Sequence, residues 1–130
     1  MSASPFLAAM GEQGASIHAH GDRSPLALWE LCRNSLGIAR LLVHEGRPNA
    51  LIRTACRLTV ETACRAGLAQ AGVRFDGDIE EALRLLAVPH ELWCVGSDAL
   101  PRAHLTAAER VVGSVAEFLR GEAPEHPWGF

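Results

Sequence analysis

Two residue types are missing from this sequence: it contains neither lysine nor tyrosine, and all 12 of its basic residues are arginine. Compositional bias of the source genome is the simplest explanation for this choice. The physical consequence is the same whatever the cause, because arginine keeps its charge and binds phosphate or carboxylate through two parallel hydrogen bonds. Any strongly basic site in the chain must therefore be an arginine site.

Long apolar runs are missing as well. Nowhere do 18 apolar residues follow one another, and the opening segment MSASPFLAAMGEQG has neither the basic region nor the long apolar segment of a signal peptide. We therefore expect a cytoplasmic protein that has no membrane partner.

Metal-site and cofactor motifs are also lacking. The cysteines are Cys32, Cys56, Cys64 and Cys94. They form no CxxC pair, which excludes the usual structural zinc motifs, and buried free thiols are the expected alternative. His18 and His20 provide two metal ligands at most, so they are either incidental or a weak metal site. Because Gly-rich phosphate loops and HExxH motifs are absent too, we expect no metal and no cofactor.

What the chain does contain is enough for one domain. Its 130 residues are 48% hydrophobic and 21% charged, with a formal net charge of −3. These values are typical of ordinary globular proteins and exclude the highly charged disordered class. Because the chain is slightly acidic overall, any contact with nucleic acid would need a local basic patch.

Helix boundary signals define two long helices in the first part of the chain. Ser24 and Pro25 form an N-cap and first-turn pair, and apolar residues then recur at three- and four-residue steps until Gly46. Pro48 and Gly72 bound the second helix. Because the link between the two helices is so short, we expect them to lie antiparallel.

Two further helices are predicted downstream. A capping box of Asp78 and Glu81 begins a short third helix, and a second capping box of Thr106 and Glu109 begins the fourth. Residues 90–104, which lie between them, are predicted to form a long loop.

The fold class follows from these elements. No segment alternates between apolar and polar residues with a period of two, so the sequence predicts no sheet. We predict an all-α protein, an antiparallel up-and-down four-helix bundle. Residues 1–22 are expected to form a partly ordered N-terminal arm, residues 23–121 the helical bundle domain and residues 122–130 a C-terminal tail.

The second helix carries charges at four-residue intervals on an otherwise small and apolar surface. We call these residues the arginine stripe: Arg53, Arg57, Glu61 and Arg65. They have three explanations, namely a solvated face with ion pairs between successive turns, an ion network at an interface, or a groove that receives phosphate. In the third case Glu61 would orient one guanidinium group. The broad face of small residues favours either a central helix or a subunit interface.

Residues 28–73 resemble the front half of HEPN domains, the small all-helical family named for nucleotide binding in higher eukaryotes and prokaryotes. In that family a first helix of the type "A..L..A..LL..G" is followed by a second of the type "A...A.E.A.KA.L...G". The residues that match are Ala39, Leu41, Leu42, Gly46, Ala55, Glu61, Ala63, Ala66, Leu68 and Gly72. The resemblance implies a HEPN-like bundle that forms a homodimer, often beside a nucleotidyltransferase partner as in toxin-antitoxin pairs, and that binds RNA or nucleotides.

Some members of that family are metal-independent ribonucleases that use an Arg and a His four to six residues apart, late in the bundle. Arg84 and His90 have this separation here, but Pro89 lies between them. Arg102 and His104 lie nearer the expected region but are only two positions apart. Neither pair fits the family pattern, so we expect no catalytic residues.

Three other residue types remain as candidates. His90 and Cys94 are four residues apart and form the one local pair that could activate a nucleophile, although a core or loop cysteine is the simpler interpretation. Trp93 and Trp128 are expected to pack against the bundle, with base stacking or an interface as alternatives.

From the sequence we therefore hypothesise a non-catalytic, homodimeric, HEPN-like binding or regulatory module for RNA, nucleotide or a nucleotidyltransferase partner, with the arginine stripe as its site. The alternatives are a metal-independent HEPN-type ribonuclease and a purely structural dimerising scaffold.

Overall fold

A computed structural model describes residues 24–75, 77–96 and 98–128. Over these ranges the chain forms four α-helices: α1 (Pro25–His44), α2 (Asn49–Gln70), α3 (Ile79–Leu85) and α4 (Pro101–Glu122). A single 3-10 turn spans His90–Leu92, and the described part of the chain contains no strand. The predicted all-α class with four helices is confirmed. The predicted N-terminal arm with His18 and His20 lies outside the described residues.

The predicted starts of α1 and α3 are confirmed by their caps. The Ser24 hydroxyl accepts a hydrogen bond from the backbone N–H of Ala27 at 3.1 Å, and Pro25 occupies the first position of α1. The Asp78 carboxylate accepts one from the N–H of Glu81 at 2.9 Å. Both side chains satisfy a backbone donor that the helix leaves without an internal partner.

The predicted start of α4 is wrong. The helix begins at Pro101 and not near Thr106, so the loop that precedes it is shorter than expected. Proline is well suited to a first helical position, because its φ angle is already helical and its missing N–H is not needed there. Pro101 was instead predicted to lie in the loop. As a result, His104 lies in the first turn of α4.

Three helices end in the same backbone arrangement. After α1, α2 and α3 the chain makes the paired hydrogen bonds of a Schellman motif. The residue with positive φ is Gly46 (67°) after α1, Gly72 (80°) after α2 and Ala87 (59°) after α3. The two glycines were predicted as helix ends. Ala87 takes the same conformation with a Cβ atom, which is unfavourable.

Helix α2 is the centre of the molecule and packs against α1, α3 and α4. A Cβ atom at Gly67 would lie 3.1 Å from Leu86 Cδ2 and 3.3 Å from Val115 Cγ1. The missing side chain at this position therefore lets α2 approach its neighbours closely. The small residues of α2 predicted either a central helix or a subunit interface, and the structure shows α2 as a central helix.

Helices α1 and α4 run in opposite directions. Trp29, near the start of α1, meets Trp128, which follows the end of α4. Arg40, near the end of α1, donates from Nε to Glu109 Oε2 in the first half of α4 at 2.9 Å.

The tail closes one end of the molecule through two tryptophans. Trp29 Nε1 donates to the carbonyl of Trp128 at 2.6 Å, and Trp128 Nε1 donates to the carbonyl of Ala123 at 2.9 Å. The two rings meet edge to face, with centroids 6.4 Å apart. We call Trp29, Ala123 and Trp128 the tryptophan clasp. The packing role expected for Trp128 is confirmed.

Candidate functional site

The arginine stripe borders two neighbouring depressions of the protein surface. Arg53 and Arg57 line an open cleft between α2 and the start of α4. Glu61 and Arg65 line a separate small hollow beside α3, together with Phe75. These four charges were predicted to form one site, and that assignment stays a prediction.

Glu61 nevertheless remains linked to the cleft through an ion pair. Its Oε2 lies 3.4 Å from Arg57 Nε, and the two side chains are 33% and 60% exposed. Such an exposed pair stabilises the fold by only a few tenths of a kcal/mol. It does, however, restrict where the Arg57 guanidinium group lies.

The cleft has a volume of about 280 Å³ and two walls of different character. Helix α2 contributes Arg53, Thr54 and Arg57, one turn of helix that presents two guanidinium groups and a hydroxyl. The opposite wall is formed by Trp93 and Val95 from the loop before α4, and by His104 from α4 itself. The residues that line the cleft are Arg53, Thr54, Arg57, Trp93, Val95 and His104.

His104 is the most unusual residue of the cleft. Its side chain is buried, with the residue 6% exposed, and its Nε2 atom has no hydrogen-bond partner. Burial lowers the pKa of His104 below its usual value, the nearby positive charge of Arg53 lowers it further, and a hydrogen bond to the backbone of Ala99 opposes both effects. The ring is therefore neutral near pH 7.

The contact with Ala99 also fixes which nitrogen of His104 carries the proton. A contact that favours the protonated form is one in which a ring N–H donates to a carbonyl. Because Nε2 has no partner, the donor is Nδ1. We therefore assign the proton to Nδ1, which leaves Nε2 as a buried acceptor with a lone pair.

Asn49 adds a second unsatisfied polar atom close by. Its Nδ2 donates to the carbonyl of Ala99 at 3.4 Å, whereas its Oδ1 is buried without a partner. Asn49, at the start of α2, and His104, at the start of α4, thus both contact Ala99. Buried polar atoms without partners are rare in folded proteins, and each one destabilises the fold by about 1–3 kcal/mol.

The groups that line the cleft differ in their binding chemistry. Two guanidinium groups attract and orient an anion, since arginine forms paired hydrogen bonds with phosphate. The half-buried indole of Trp93 offers a flat surface for a planar ring. Nε2 of His104 is a buried acceptor without a partner, and a hydroxyl or amino group is the kind of donor that would satisfy it.

The two Arg–His pairs considered from the sequence are not the pairs that the fold assembles. Arg84 forms an ion pair with Glu81 inside α3, and Arg102 is exposed on α4. His104 instead lies with Arg53, a residue 51 positions earlier in the chain.

His104 was considered only in a pair with Arg102, and base stacking was only an alternative for Trp93, so their place in one cleft with Arg53 was not predicted. One sequence signal for His104 does exist, because it precedes Ala108, Val111 and Val115 at steps of four, three and four residues, the spacing of one helix face. All three of those residues are fully buried. A helix that starts at Pro101 places His104 on that same face.

Among the described residues, no group of three or more His, Cys, Asp or Glu side chains has an arrangement that could hold a metal ion. In the same part of the chain no helix is both long and apolar enough to cross a membrane. Comparisons of the sequence and the structure with family models, curated proteins and solved structures find no significant match.

Proposed function

We propose that this protein is a HEPN-like binding or regulatory module whose cleft binds RNA or a nucleotide through its phosphate groups, without catalysis of its own. We include in this proposal the antiparallel up-and-down arrangement, the homodimer and a nucleotidyltransferase partner that the resemblance implies. The opposite directions of α1 and α4 support the proposed arrangement of the bundle.

One observation carries the proposal: Arg53 and Arg57 share a cleft with a buried, neutral His104 whose Nε2 has no partner. Two arginines alone would not indicate a binding site, because many exposed helix surfaces carry two positive charges. A buried acceptor beside them is unfavourable in the free protein and becomes satisfied when a ligand donates a hydrogen bond to it. A ribose hydroxyl or a base amino group supplies such a donor, while the adjacent phosphate pairs with arginine.

The roles of the stripe residues differ in this proposal. Arg53 and Arg57 contact phosphate, and Glu61 orients the Arg57 guanidinium through its ion pair. Arg65 lies beside α3, outside the cleft, and adds only to the surrounding positive potential. Trp93 stacks on a base, an interaction that contributes about 1–3 kcal/mol per base in single-stranded complexes.

The proposal is tested by fluorescence anisotropy with a labelled single-stranded RNA, over a series of salt concentrations. The double variant Arg53→Ala, Arg57→Ala should bind at least about tenfold more weakly, because charge-assisted hydrogen bonds contribute about 1.5–3 kcal/mol each. Its salt dependence should also decrease, with the slope of log K against log salt lower by about two.

The matched control removes two exposed arginines that do not line the cleft, in the double variant Arg33→Ala, Arg110→Ala. Both double variants change the net charge equally, so a general electrostatic effect would weaken binding equally in both. Circular dichroism and thermal melting verify that each variant is folded. Unchanged affinity in a folded Arg53→Ala, Arg57→Ala protein would disprove the site.

A second candidate function is metal-independent RNA cleavage, which the neutral state of His104 favours. Its Nε2 would act as a general base on a ribose 2′-hydroxyl, with Arg53 beside the reacting phosphate. Incubating the same RNA in the presence of a chelator separates the two functions. Cleavage that is absent in the variant His104→Gln would establish the second candidate, and binding without cleavage supports the first.

A further inference from the structure

Among the described side chains that line the cleft, His104 supplies the one buried hydrogen-bond acceptor that has no partner. Arginine, tryptophan and valine side chains accept no hydrogen bond. The Thr54 hydroxyl already donates to the carbonyl of Ala50 at 3.0 Å, and Thr54 is exposed, so a ligand donor there only replaces water. A ligand group that donates to His104 Nε2 therefore gains more from the cleft than a group that donates elsewhere.

The carbonyl of Ala99 keeps His104 Nε2 in the acceptor state. A carbonyl only accepts, so the ring nitrogen that faces Ala99 carries the proton. The ring is neutral near pH 7, because burial and the charge of Arg53 both lower its pKa. Nε2 therefore accepts a hydrogen bond and does not donate one, and its partner in a ligand is a donor group and not the phosphate itself.

The position of Arg53 indicates which part of a nucleotide meets this acceptor. Its positive charge acts on the His104 ring, so the guanidinium group lies close to the ring, and both side chains line the same cleft. A phosphate held by Arg53 brings the atoms next to that phosphate towards Nε2. The outer edge of the base, where the amino groups are, lies farther from the phosphate.

In RNA the donor next to a phosphate is the ribose 2′-hydroxyl. It is bonded to the carbon adjacent to the one that carries the 3′-phosphate. DNA has the same phosphates and nearly the same bases, but it has no hydroxyl at this carbon. The 2′-hydroxyl is thus the group by which a protein distinguishes RNA from DNA at one nucleotide.

We propose that the cleft selects ribose over deoxyribose, with His104 Nε2 accepting a hydrogen bond from the 2′-hydroxyl beside the phosphate that Arg53 holds. This inference rests on the proposed binding of RNA or a nucleotide, and it adds which sugar the cleft accepts. His104 is the specificity-determining residue, whereas Arg57 contributes affinity that RNA and DNA share. The cleft volume of about 280 Å³ is at the lower end for small-molecule sites, so one nucleotide unit fills it.

The test compares three strands of one sequence on the unchanged protein by fluorescence anisotropy. The sequence contains adenine and cytosine only, so the RNA, DNA and 2′-fluoro strands differ at the 2′-carbon alone. RNA should bind about tenfold more tightly than DNA, which corresponds to about 1.4 kcal/mol and agrees with the satisfaction of one buried acceptor. The 2′-fluoro strand keeps an RNA-like sugar conformation but has no donor, so it should bind like DNA. Gel electrophoresis verifies that the RNA stays intact.

Two variants assign the selectivity to His104. His104→Leu should bring the ratio of RNA to DNA affinity close to one, because leucine offers no acceptor. Arg57→Ala is the matched control, since it removes a phosphate contact from the same cleft. It should weaken the binding of both strands severalfold and leave their ratio unchanged. Circular dichroism verifies that both variants are folded, and an unchanged ratio in folded His104→Leu would overturn the assignment.

The outcomes with the unchanged protein separate this inference from the proposed function. Equal affinities for RNA and DNA, both weakened in Arg53→Ala, Arg57→Ala, would leave the phosphate site in place and disprove the sugar selectivity. Equal affinities for the RNA and 2′-fluoro strands would also disprove it, because the donor would then have no effect. Absence of binding by every strand would disprove the proposed function and, with it, this inference.

Mononucleotides show whether a free nucleotide carries the same chemistry as the strand. Adenosine 3′-monophosphate and its 2′-deoxy form are used as competitors against the labelled RNA. Stronger competition by the ribose form would support the assignment to a single sugar, and equal competition by the two forms would contradict it.

Discussion

The tryptophan clasp and the cleft lie at opposite ends of α4 and differ in whether their buried polar atoms form hydrogen bonds. In the clasp both indole N–H groups donate to backbone carbonyls, so the buried polar atoms are satisfied. In the cleft the Nε2 of a buried histidine has no partner. Both regions contain tryptophan. What separates a structural contact from a candidate binding site in this molecule is therefore hydrogen-bond satisfaction.

This difference in hydrogen bonding also affects the stability of the folded state. Satisfied buried groups stabilise the folded state, whereas an unsatisfied one destabilises it. The clasp is thus expected to contribute strongly to stability and nothing to ligand binding, and the cleft to do the reverse.

Trp128→Ala tests whether the tryptophan clasp stabilises the fold. The side chain is almost fully buried and its indole is hydrogen-bonded, so truncation should lower the free energy of unfolding by about 3–5 kcal/mol. Urea denaturation measures this loss. Trp93→Ala is the matched control, because Trp93 packs against the core but is only half-buried, and it should lose clearly less than Trp128→Ala. Equal losses in both variants would remove the distinction between the two regions.

His104→Leu tests whether the unsatisfied Nε2 atom in the cleft destabilises the fold. Replacing a buried and partly unsatisfied imidazole by an apolar side chain should raise the free energy of unfolding by about 1 kcal/mol at pH 7. The carbonyl of Ala99 keeps Asn49 as its donor in this variant. A variant that is less stable than the unchanged protein at pH 7 would contradict our account of the cleft.

The pH dependence of stability sharpens the same test. Burial holds the pKa of folded His104 below 6.5, its usual value, so the unfolded chain binds more protons as the solution is acidified. Stability from this residue is complete above pH 6.5 and is lost as the pH falls through that value towards the folded pKa. In His104→Leu this part of the acid sensitivity should disappear from urea denaturation curves measured between pH 7 and pH 5.

Ala87→Gly tests whether every unfavourable feature marks function. Ala87 has a φ of 59° at the end of α3 and lines neither the cleft nor the clasp. Glycine adopts this conformation freely, so the variant should gain about 1 kcal/mol without any change in RNA binding. Ala71→Gly, at a position where φ is −80°, is the control and should lose stability. A loss in Ala87→Gly would show that strain does not determine stability there.

Glu61→Gln is expected to have the smallest effect on stability. It breaks the exposed pair with Arg57 and should change the free energy of unfolding by only a few tenths of a kcal/mol, a difference that 1 M salt removes. Glu117→Gln, which removes another exposed carboxylate, serves as the control. A change above about 1 kcal/mol would indicate that the stripe is primarily structural.

Most of the helical framework could be predicted because its signals are local. The Ser24–Pro25 start, the Asp78 cap and the Gly46 and Gly72 ends each depend on backbone chemistry within a few residues. Local signals fail where two of them compete. The Thr106–Glu109 box was predicted to start the last helix and Pro101 was assigned to the loop, but α4 begins at Pro101.

The cleft could be predicted only in part, because it combines distant segments. The four-residue spacing showed that Arg53 and Arg57 share a face of α2. No spacing in the sequence predicts that Trp93 or His104 lies beside that face, because their positions depend on how α4 packs beside α2. The correct start of α4 places His104 on the buried face of that helix, but its meeting with Arg53 requires the tertiary structure.

The tryptophan clasp also affects the order in which the protein folds during synthesis. The hydrogen bond between Trp29 and Trp128 joins residues 99 positions apart. It cannot form until residue 128 has left the ribosome, whereas the contacts between α1 and α2 need only residues 24–70. Contacts between neighbouring segments form faster than those between distant ones. We therefore expect the α1–α2 hairpin to form first on the nascent chain, with the clasp among the last contacts to close.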